Sequence, residues 1–305
     1  MAIPSSGTIS LAGIRAELAT NTYNASATTT ASLEDCSDGT VATINTGNAS
    51  GDRPNGSAPH AMSEFYAYDH DLSSFNDNIS FDFDGANDYL EGAGNLANAI
   101  SVSTGSISTW IKIDSMSANG LIWAINTEEG STNQIFLLWH NASGVVRSNF
   151  KGGNVANIAD SGSGLENDNT WHHFVVTWQA VSKASGNIIK IYQDGSLQDS
   201  DAIGTVFSGS PAIFGFGRNA LQNFGQNFNG HMNDMAIFND VLTSSEVSAI
   251  YNSGTPKDES SHSGLISYYT LEDYSNGDTT VADDSSNSHT LTITNSTDID
   301  STDTP

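Results

Sequence analysis

The chain has 305 residues, with 35 acidic against nine basic side chains and a formal net charge of −26. A field of that sign repels phosphate backbones and anionic lipid headgroups, which argues against nucleic-acid binding and membrane-surface roles. The lone cysteine, Cys36, excludes an intramolecular disulfide and a cysteine-based metal cluster.

Charged residues are only 14% of the chain, so Ser, Thr, Asn and Gly carry most of its polarity. No apolar run approaches bilayer-spanning length, and no membrane insertion is expected. The first residues, Met1-Ala-Ile-Pro-Ser-Ser-Gly, carry neither the basic nor the apolar stretch of a secretory signal.

Residues 1–72 differ in pattern from the remainder of the chain. Leu11, Ile14 and Leu18 recur at helical spacing behind Ser10, which is suited to an N-cap. From 20 to 60 no period is visible, as expected of an extended arm. A compact aromatic cluster, Ala61 to Tyr68, closes the segment. The apolar area here is too small to predict an independent core, so the segment is expected to dock onto something larger.

From residue 76 strand signals are dense. The predicted strands are 79–83, 88–91, 106–113, 121–126, 134–139, 145–150, 171–178, 188–193, 212–216 and 232–238. Gly, Asn, Asp and Ser turns separate them, the pattern of an all-β antiparallel sandwich. The clearest is Trp171-His-His-Phe-Val-Val-Thr-Trp178, whose odd and even residues face opposite sides, followed by Ile189 to Gly195 with an Asp194-Gly195 turn. Thr243-Ser-Ser-Glu246 is a capping box ahead of Val247, Ile250 and Tyr251, and Gly254 and Pro256 supply stop signals. Strand character returns at Leu265–Leu271 and Leu291–Thr294, and the acidic tail from Thr297 is expected to fray.

Taken in order, Phe83-Asp-Gly-Ala-Asn-Asp-Tyr-Leu90, Gly105 to Lys112, the Trp171–Gly195 block, Phe228 to Phe238 and the helix Leu242–Gly254 resemble the laminin-G-like, concanavalin-A-like lectin/glucanase superfamily over residues 79–254. The resemblance implies an antiparallel jelly-roll sandwich spanning 76–254. One departure stands out. The segment Leu265-Ile-Ser-Tyr-Tyr-Thr-Leu271 with Asp284-Ser-Ser-Asn-Ser-His289, which precedes the Phe-Asp-Gly motif in that family, here comes after the domain. Residues 255–305 are expected to complete the sheet, in this chain or in a neighbour, because an uncovered edge invites aggregation. The N-terminal pieces Ile3 to Leu11, Ile14 to Leu18 and Ala58 to Tyr66 are similar to leaders of tailed-phage structural proteins. This resemblance implies virion localisation, with attachment to other virion proteins through Leu11, Ile14, Leu18, Phe65 and Tyr66.

A retaining glycosidase needs two carboxylates about 5 Å apart, which on one strand reads Glu-x-Asp-x-x-Glu or Glu-x-Asp-x-Glu. No such run exists. The nearest, Asp82-Phe83-Asp84, lacks a glutamate and runs into a Gly turn. Nor does a Gly-x-Ser-x-Gly lie between strand and helix. Adjacent His172 and His173 point to opposite faces and do not chelate one ion together. The superfamily resemblance implies calcium near the Phe-Asp-Gly turn and the later Gly-x-Ile-Asp-Glu strand, here Asp84, Asn233 and Asp234, with Asn in place of Asp reducing the charge, and Asp88 is a further candidate by its proximity in sequence. The five tryptophans are read mainly as core. A ligand rim is expected at Phe224, Gln226 and Asn227. The resulting expectation is a homo-oligomeric, non-enzymatic virion protein whose outward sandwich binds cell-surface glycans, as a tail or head appendage. Alternatives are a capsid-decorating cement protein and a polysaccharide depolymerase.

Overall fold

In the computed structural model of the chain, residues 3–20, 22–23, 30–45, 51, 53–68, 70, 77–116, 119–126, 134–152, 155–165, 169–180, 188–203, 211–217, 226–272, 274–275, 277–295, 299–300 and 303–305 are described. The chain divides into two compact units, Met1–Phe75 and Asn76–Pro305.

The first unit is not the coreless arm expected from its composition. Helix α1 (Leu11–Thr20) starts where predicted, with the Ser10 hydroxyl accepting from Gly13 N at 3.0 Å. A second helix, α2 (Leu33–Ser37), is set by a capping box between Ser32 and Asp35, and Met62–Phe65 forms a 3-10 turn. Ile3, Ile9, Ile14, Leu18, Cys36, Phe65 and Tyr68 are buried together. The chain ends of the unit are tied by Ile3 N donating to Tyr68 O and by the Tyr66 hydroxyl donating to Gly7 O. Apolar residues too sparse to register as a periodic pattern still close a small core when loops bring them together.

The second unit carries, in order, β1 (Ser80–Asp84), β2 (Tyr89–Ala93), α3 (Asn95–Ala99), β3 (Thr104–Ile113), β4 (Gly120–Asn126), β5 (Gln134–His140), β6 (Val146–Gly152), β7 (Val155–Asp160), β8 (Trp171–Gln179), β9 (Ile188–Gln193), β10 (Ser196–Ala202), β11 (Ile213–Phe216), β12 (Asn229–Phe238), α4 (Ser244–Tyr251), β13 (Leu265–Tyr269), β14 (Thr280–Val281), β15 (Leu291–Thr294) and β16 (Ile299–Asp300). They form two antiparallel sheets. The first runs β10-β9-β8-β3-β12-β1-β16, with β13 also on β12; the second runs β14-β15-β2-β11-β4-β5-β6-β7. The unit is an all-β jelly-roll sandwich. Sequence reading misses β7, β10, β14 and β16, and β16 lies in the tail expected to fray but pairs with β1 at Phe81 and Ser80. β10 is Ser-Leu-Gln-Asp-Ser-Asp-Ala and almost wholly exposed, so pairing with β9 rather than apolar alternation makes it a strand.

Strand β12 explains the permuted C-terminal segment. One side pairs with β3, at Gly230–Asn233 and again at Ala236–Phe238. The other pairs with β1 at Asn229–Met232 and with β13 at Met235–Phe238. The change of partner falls at Asn233–Asp234, where the β3 register shifts and Asp234 takes φ +50°. Residues 265–269 thus complete this chain's own sheet, and β15 does the same for β2 in the second sheet. The turn after β13 is locked by the fully buried Asp283 carboxylate, which accepts from the N–H groups of Tyr268, Ser285 and His289.

Between the sheets Phe136 meets Trp178 edge-on at 4.7 Å, within a core that includes Phe81, Phe83, Trp123, Phe150, Phe174, Phe214 and Phe216. Each such aromatic stabilises the fold by about 1.5–3 kcal/mol through burial. Strand β8 is buried on both faces. Phe174, Val176 and Trp178 face the core, while His173, Val175 and Thr177 lie on the outer face with Trp110. There Tyr251 of α4 stacks on Trp110 (5.7 Å) and on His173 (6.0 Å). The predicted capping box at Thr243 and Glu246 positions α4 for this. The two sheets also meet along one side: Asp201 and Asp199 of edge strand β10 accept from Ile158 N and Asp160 N of edge strand β7. Edge N–H groups that could recruit another strand are thereby satisfied by carboxylates.

Candidate functional site

The outer face of the second sheet carries an arrangement that sequence reading did not anticipate. Strict alternation in β5 and β6 turns Phe136, Leu138, Val146 and Phe150 inward and Trp139, Arg147 and Asn149 outward, with Arg147 opposite both Trp139 and Asp160. The Arg147 guanidinium lies 5.6 Å from the Trp139 ring centroid. It also grips Asp160 through Nε at 2.6 Å and a terminal nitrogen at 2.7 Å. That carboxylate holds the guanidinium above its ordinary pKa, against partial burial. The three side chains remain half-buried rather than covered. Two occluded polar atoms on this face, Trp139 Nε1 and Asn149 Oδ1, have no hydrogen-bond partner among the described residues. A buried donor or acceptor left unpaired costs about 1–3 kcal/mol and commonly marks a place for water or ligand. An aromatic face, a fixed fork of donors and a carboxylate beside amide groups suit a polyhydroxylated ring.

Sequence reading groups Trp139 with the core tryptophans. The available signal was Arg147, one of only nine basic residues and set within a strand.

The expected rim is divided. Phe224 lies outside the described residues. Gln226 O accepts from Leu121 N, and Asn227 bridges to Leu121, which is itself opposite Trp139, so both residues lie beside the strand pair that carries Trp139. Asn227 also donates to Ala86 O, and its own Oδ1 is occluded without a partner among the described residues.

The four expected calcium ligands do not converge. Asp84 and Asp88 share one turn, where Asp84 Oδ1 accepts from Ala86 N and Asn87 N and Asp88 Oδ2 from Asp84 N. Partial burial acts to raise the Asp84 carboxyl, but the surrounding N–H groups outweigh it and hold the pKa below the usual carboxylate value. Because Asp84 is opposite Asn229, Asn233 lies four residues further along β12, about 13 Å away at strand rise. Asn233 donates to Asp77, and Asp234 accepts the Tyr268 hydroxyl, which also donates to Lys257 O. Burial pushes the Asp234 carboxyl well above its ordinary value, and raises Asp77 to about 6 and Glu259 to about 7. These side chains secure the partner change in β12.

The residues expected to contact virion proteins are also already occupied. Ile14, Leu18 and Phe65 are buried in the first unit's core, and Leu11 and Tyr66 pack against it. Ile14, Leu18 and Phe65 are therefore covered, whereas Leu11 and Tyr66 keep part of their surface exposed. Of the two adjacent histidines, His172 pairs with Asp194 at 2.7 Å and His173 is buried against Ser108 at 2.7 Å, so they serve opposite faces.

Residues 84–248, more than half of the chain, match the Laminin_G_3 family, described as the concanavalin A-like lectin/glucanases superfamily. The chain belongs to this superfamily. Among solved structures, the concanavalin A-like sandwich is shared with a candidate carbohydrate binding protein from Bacteroides ovatus, at TM-score 0.54 and 17% identity, covering 76% of this chain; the chain spans 62% of that protein's length. Also similar are the CBM40 of Ruminococcus gnavus IT-sialidase (TM-score 0.46, 15% identity, 57% of this chain and 96% of that one) and a heptameric SAP-like pentraxin from Limulus polyphemus (0.45, 16%, 57% and 82%). Among curated proteins none matches this sequence.

Proposed function

We propose that this concanavalin A-like chain is a non-enzymatic glycan-binding protein whose ligand sits on the outer face of the second sheet, against Trp139, Arg147 and Asn149. The observation that carries this reading is the Trp139–Arg147–Asp160 arrangement with its unpartnered indole nitrogen and amide oxygen. Saccharide rings pack on flat apolar surface, here the exposed part of Trp139, while their hydroxyls pair with the guanidinium N–H groups that Asp160 does not engage. Gln226 and Asn227 extend the surface at one end. The carbohydrate-binding description of the Bacteroides ovatus protein points the same way. Weak single-site affinity would be multiplied by many copies, as in a homo-oligomeric virion appendage.

On this reading the first unit attaches the protein to other virion proteins. Its attachment surface is exposed rather than the Ile14–Phe65 core, and Met62, 41% exposed, is one apolar candidate. Calcium belongs to the Asp84–Asp88 turn alone. A glycan array with the intact protein tests the central claim: binding abolished by Trp139→Ala and Arg147→Ala supports it. Binding unchanged in both variants removes the site, and reducing-sugar release from a bound polysaccharide replaces the reading with the depolymerase. Particle incorporation lost on deleting residues 1–75, with the sandwich still folded, supports attachment through the first unit.

A further inference from the structure

The outer face of the first sheet holds a side-chain cluster that glycan binding does not use. Register places Asp82 (β1) opposite His231 (β12), His231 opposite Lys112 (β3), and Lys112 opposite Trp171 (β8), in one row across four strands. Asp114 follows the end of β3. His231 is only 6% exposed. Its Nε2 lies 3.5 Å from Asp114 Oδ2 and 3.7 Å from Asp303 Oδ2. One ligand atom from each of Asp82, Asp114 and His231 lies within 4.8 Å of the others.

These separations are informative. They exceed the range of a good N–H···O bond. A tetrahedral cation with bonds near 2.0–2.2 Å, however, keeps its ligands about 3.3–3.6 Å apart. That is close to the 3.5 and 3.7 Å from the imidazole to Asp114 and Asp303. Asp82, within 4.8 Å of Asp114 and His231, reaches the same ion by a small side-chain shift. The outer contacts are those a metal site needs. Trp171 Nε1 donates to Asp303 Oδ1 at 2.9 Å and orients that carboxylate, while Ser80 Oγ stands 3.4 Å from His231 Nδ1 on the far side of the ring. Lys112 also holds Asp303. Three carboxylates against one ammonium leave a local charge near −2, matched by a divalent ion. An imidazole nitrogen among the ligands selects against calcium, which takes oxygen, and for the zinc class.

We infer that Asp82, Asp114 and His231 bind one divalent transition-metal cation, with Asp303 closing the fourth position and fastening the C-terminal tail to the sheet. Binding exchanges part of the Lys112–Asp303 ion pair for the metal bond.

The test uses the intact protein, stripped with EDTA and dialysed, then titrated with ZnCl2 alone by calorimetry and followed by thermal unfolding, with CaCl2 as a parallel arm. The expected result is one zinc per chain, a raised Tm, and a metal edge spectrum with a nitrogen ligand near 2.0 Å. Asp114→Asn, at a position whose side chain is 39% exposed, should keep the fold and weaken zinc binding at least tenfold. Asp84→Asn should leave zinc untouched and report only on calcium at its own turn. His231→Gln should remove the nitrogen ligand; if that variant does not fold, Asp114→Asn and the wild-type spectrum still decide. No zinc isotherm with folded protein overturns the inference, and so does binding that is unchanged in Asp114→Asn.

Discussion

Arg147 is held from two directions at once, its plane over the Trp139 ring at 5.6 Å and its nitrogens on Asp160 at 2.6 and 2.7 Å. An exposed ion pair adds about 0–1 kcal/mol and a cation–π contact about 0.5–1 kcal/mol. The arrangement therefore matters more for orientation than for stability. Asp160→Asn should lower Tm by no more than a few degrees, yet weaken glycan binding several-fold by releasing the guanidinium. Arg147→Lys should do the same, since an ammonium has no fork. Unaltered glycan affinity in both, measured by calorimetry, would mean that the pair is only structural.

Stability should depend on pH through two opposed sets of groups. Burial raises Glu259 from 4.5 to about 7 and Asp77 from 3.8 to about 6, so their contribution is fully present below pH 4 and is lost as pH rises through 6 and 7. Burial lowers His173 to about 3 and His140 to about 4 from 6.5, so their contribution is present above pH 6.5 and is lost as pH falls through 4 and 3. Each group moves stability by up to about 1.4 kcal/mol per pH unit inside its window. The sets offset one another between about pH 4.5 and 6. Glu259→Gln should remove one of the acid slopes, so that urea midpoints drop more steeply on acidification than in the wild type. A parallel pair of curves would refute the assignment.

Tyr251 stacks on the buried His173 ring at 6.0 Å. Tyr251→Ala should cost about 1–3 kcal/mol through lost aromatic packing on Trp110 and His173. It should also let the His173 pKa climb from about 3 towards 6.5 as water reaches the ring. NMR titration of the imidazole reads this directly. A stability loss without a pKa change would show that other side chains do the shielding.

Truncation after residue 254 should be far more damaging than its distance from the family match suggests. It removes β13 from β12 and β15 from β2, leaving unpaired backbone on both sheets. The expected outcome is insoluble or domain-swapped protein in size-exclusion chromatography. A soluble truncated monomer with an unchanged Tm would contradict the pairing.

Much of the fold was legible because strands buried on a core face must alternate. Phe174, Val176 and Trp178 do so, and the Asp194–Gly195 turn takes the positive φ its residues suggest. Strand β10 was illegible because an edge held by backbone pairing and carboxylate contacts needs no apolar side chains. The core of the first unit was missed for a related reason. Ile3 and Tyr68, at opposite ends of that unit, meet through a backbone hydrogen bond, a contact with no local period.

The amino-acid sequence by itself determined the superfamily, the antiparallel sandwich and the capped helices α1 and α4, since turn chemistry, capping and alternation act over a few residues. Only the tertiary structure decided which polar groups meet. Asp84 and Asn233 looked like partners in sequence but lie about 13 Å apart along the sheet, whereas Asp82, Asp114, His231 and Asp303, scattered along most of the second unit, converge on one face. Register brings side chains together across strands, and register is fixed by long-range pairing that no local stretch of chain contains.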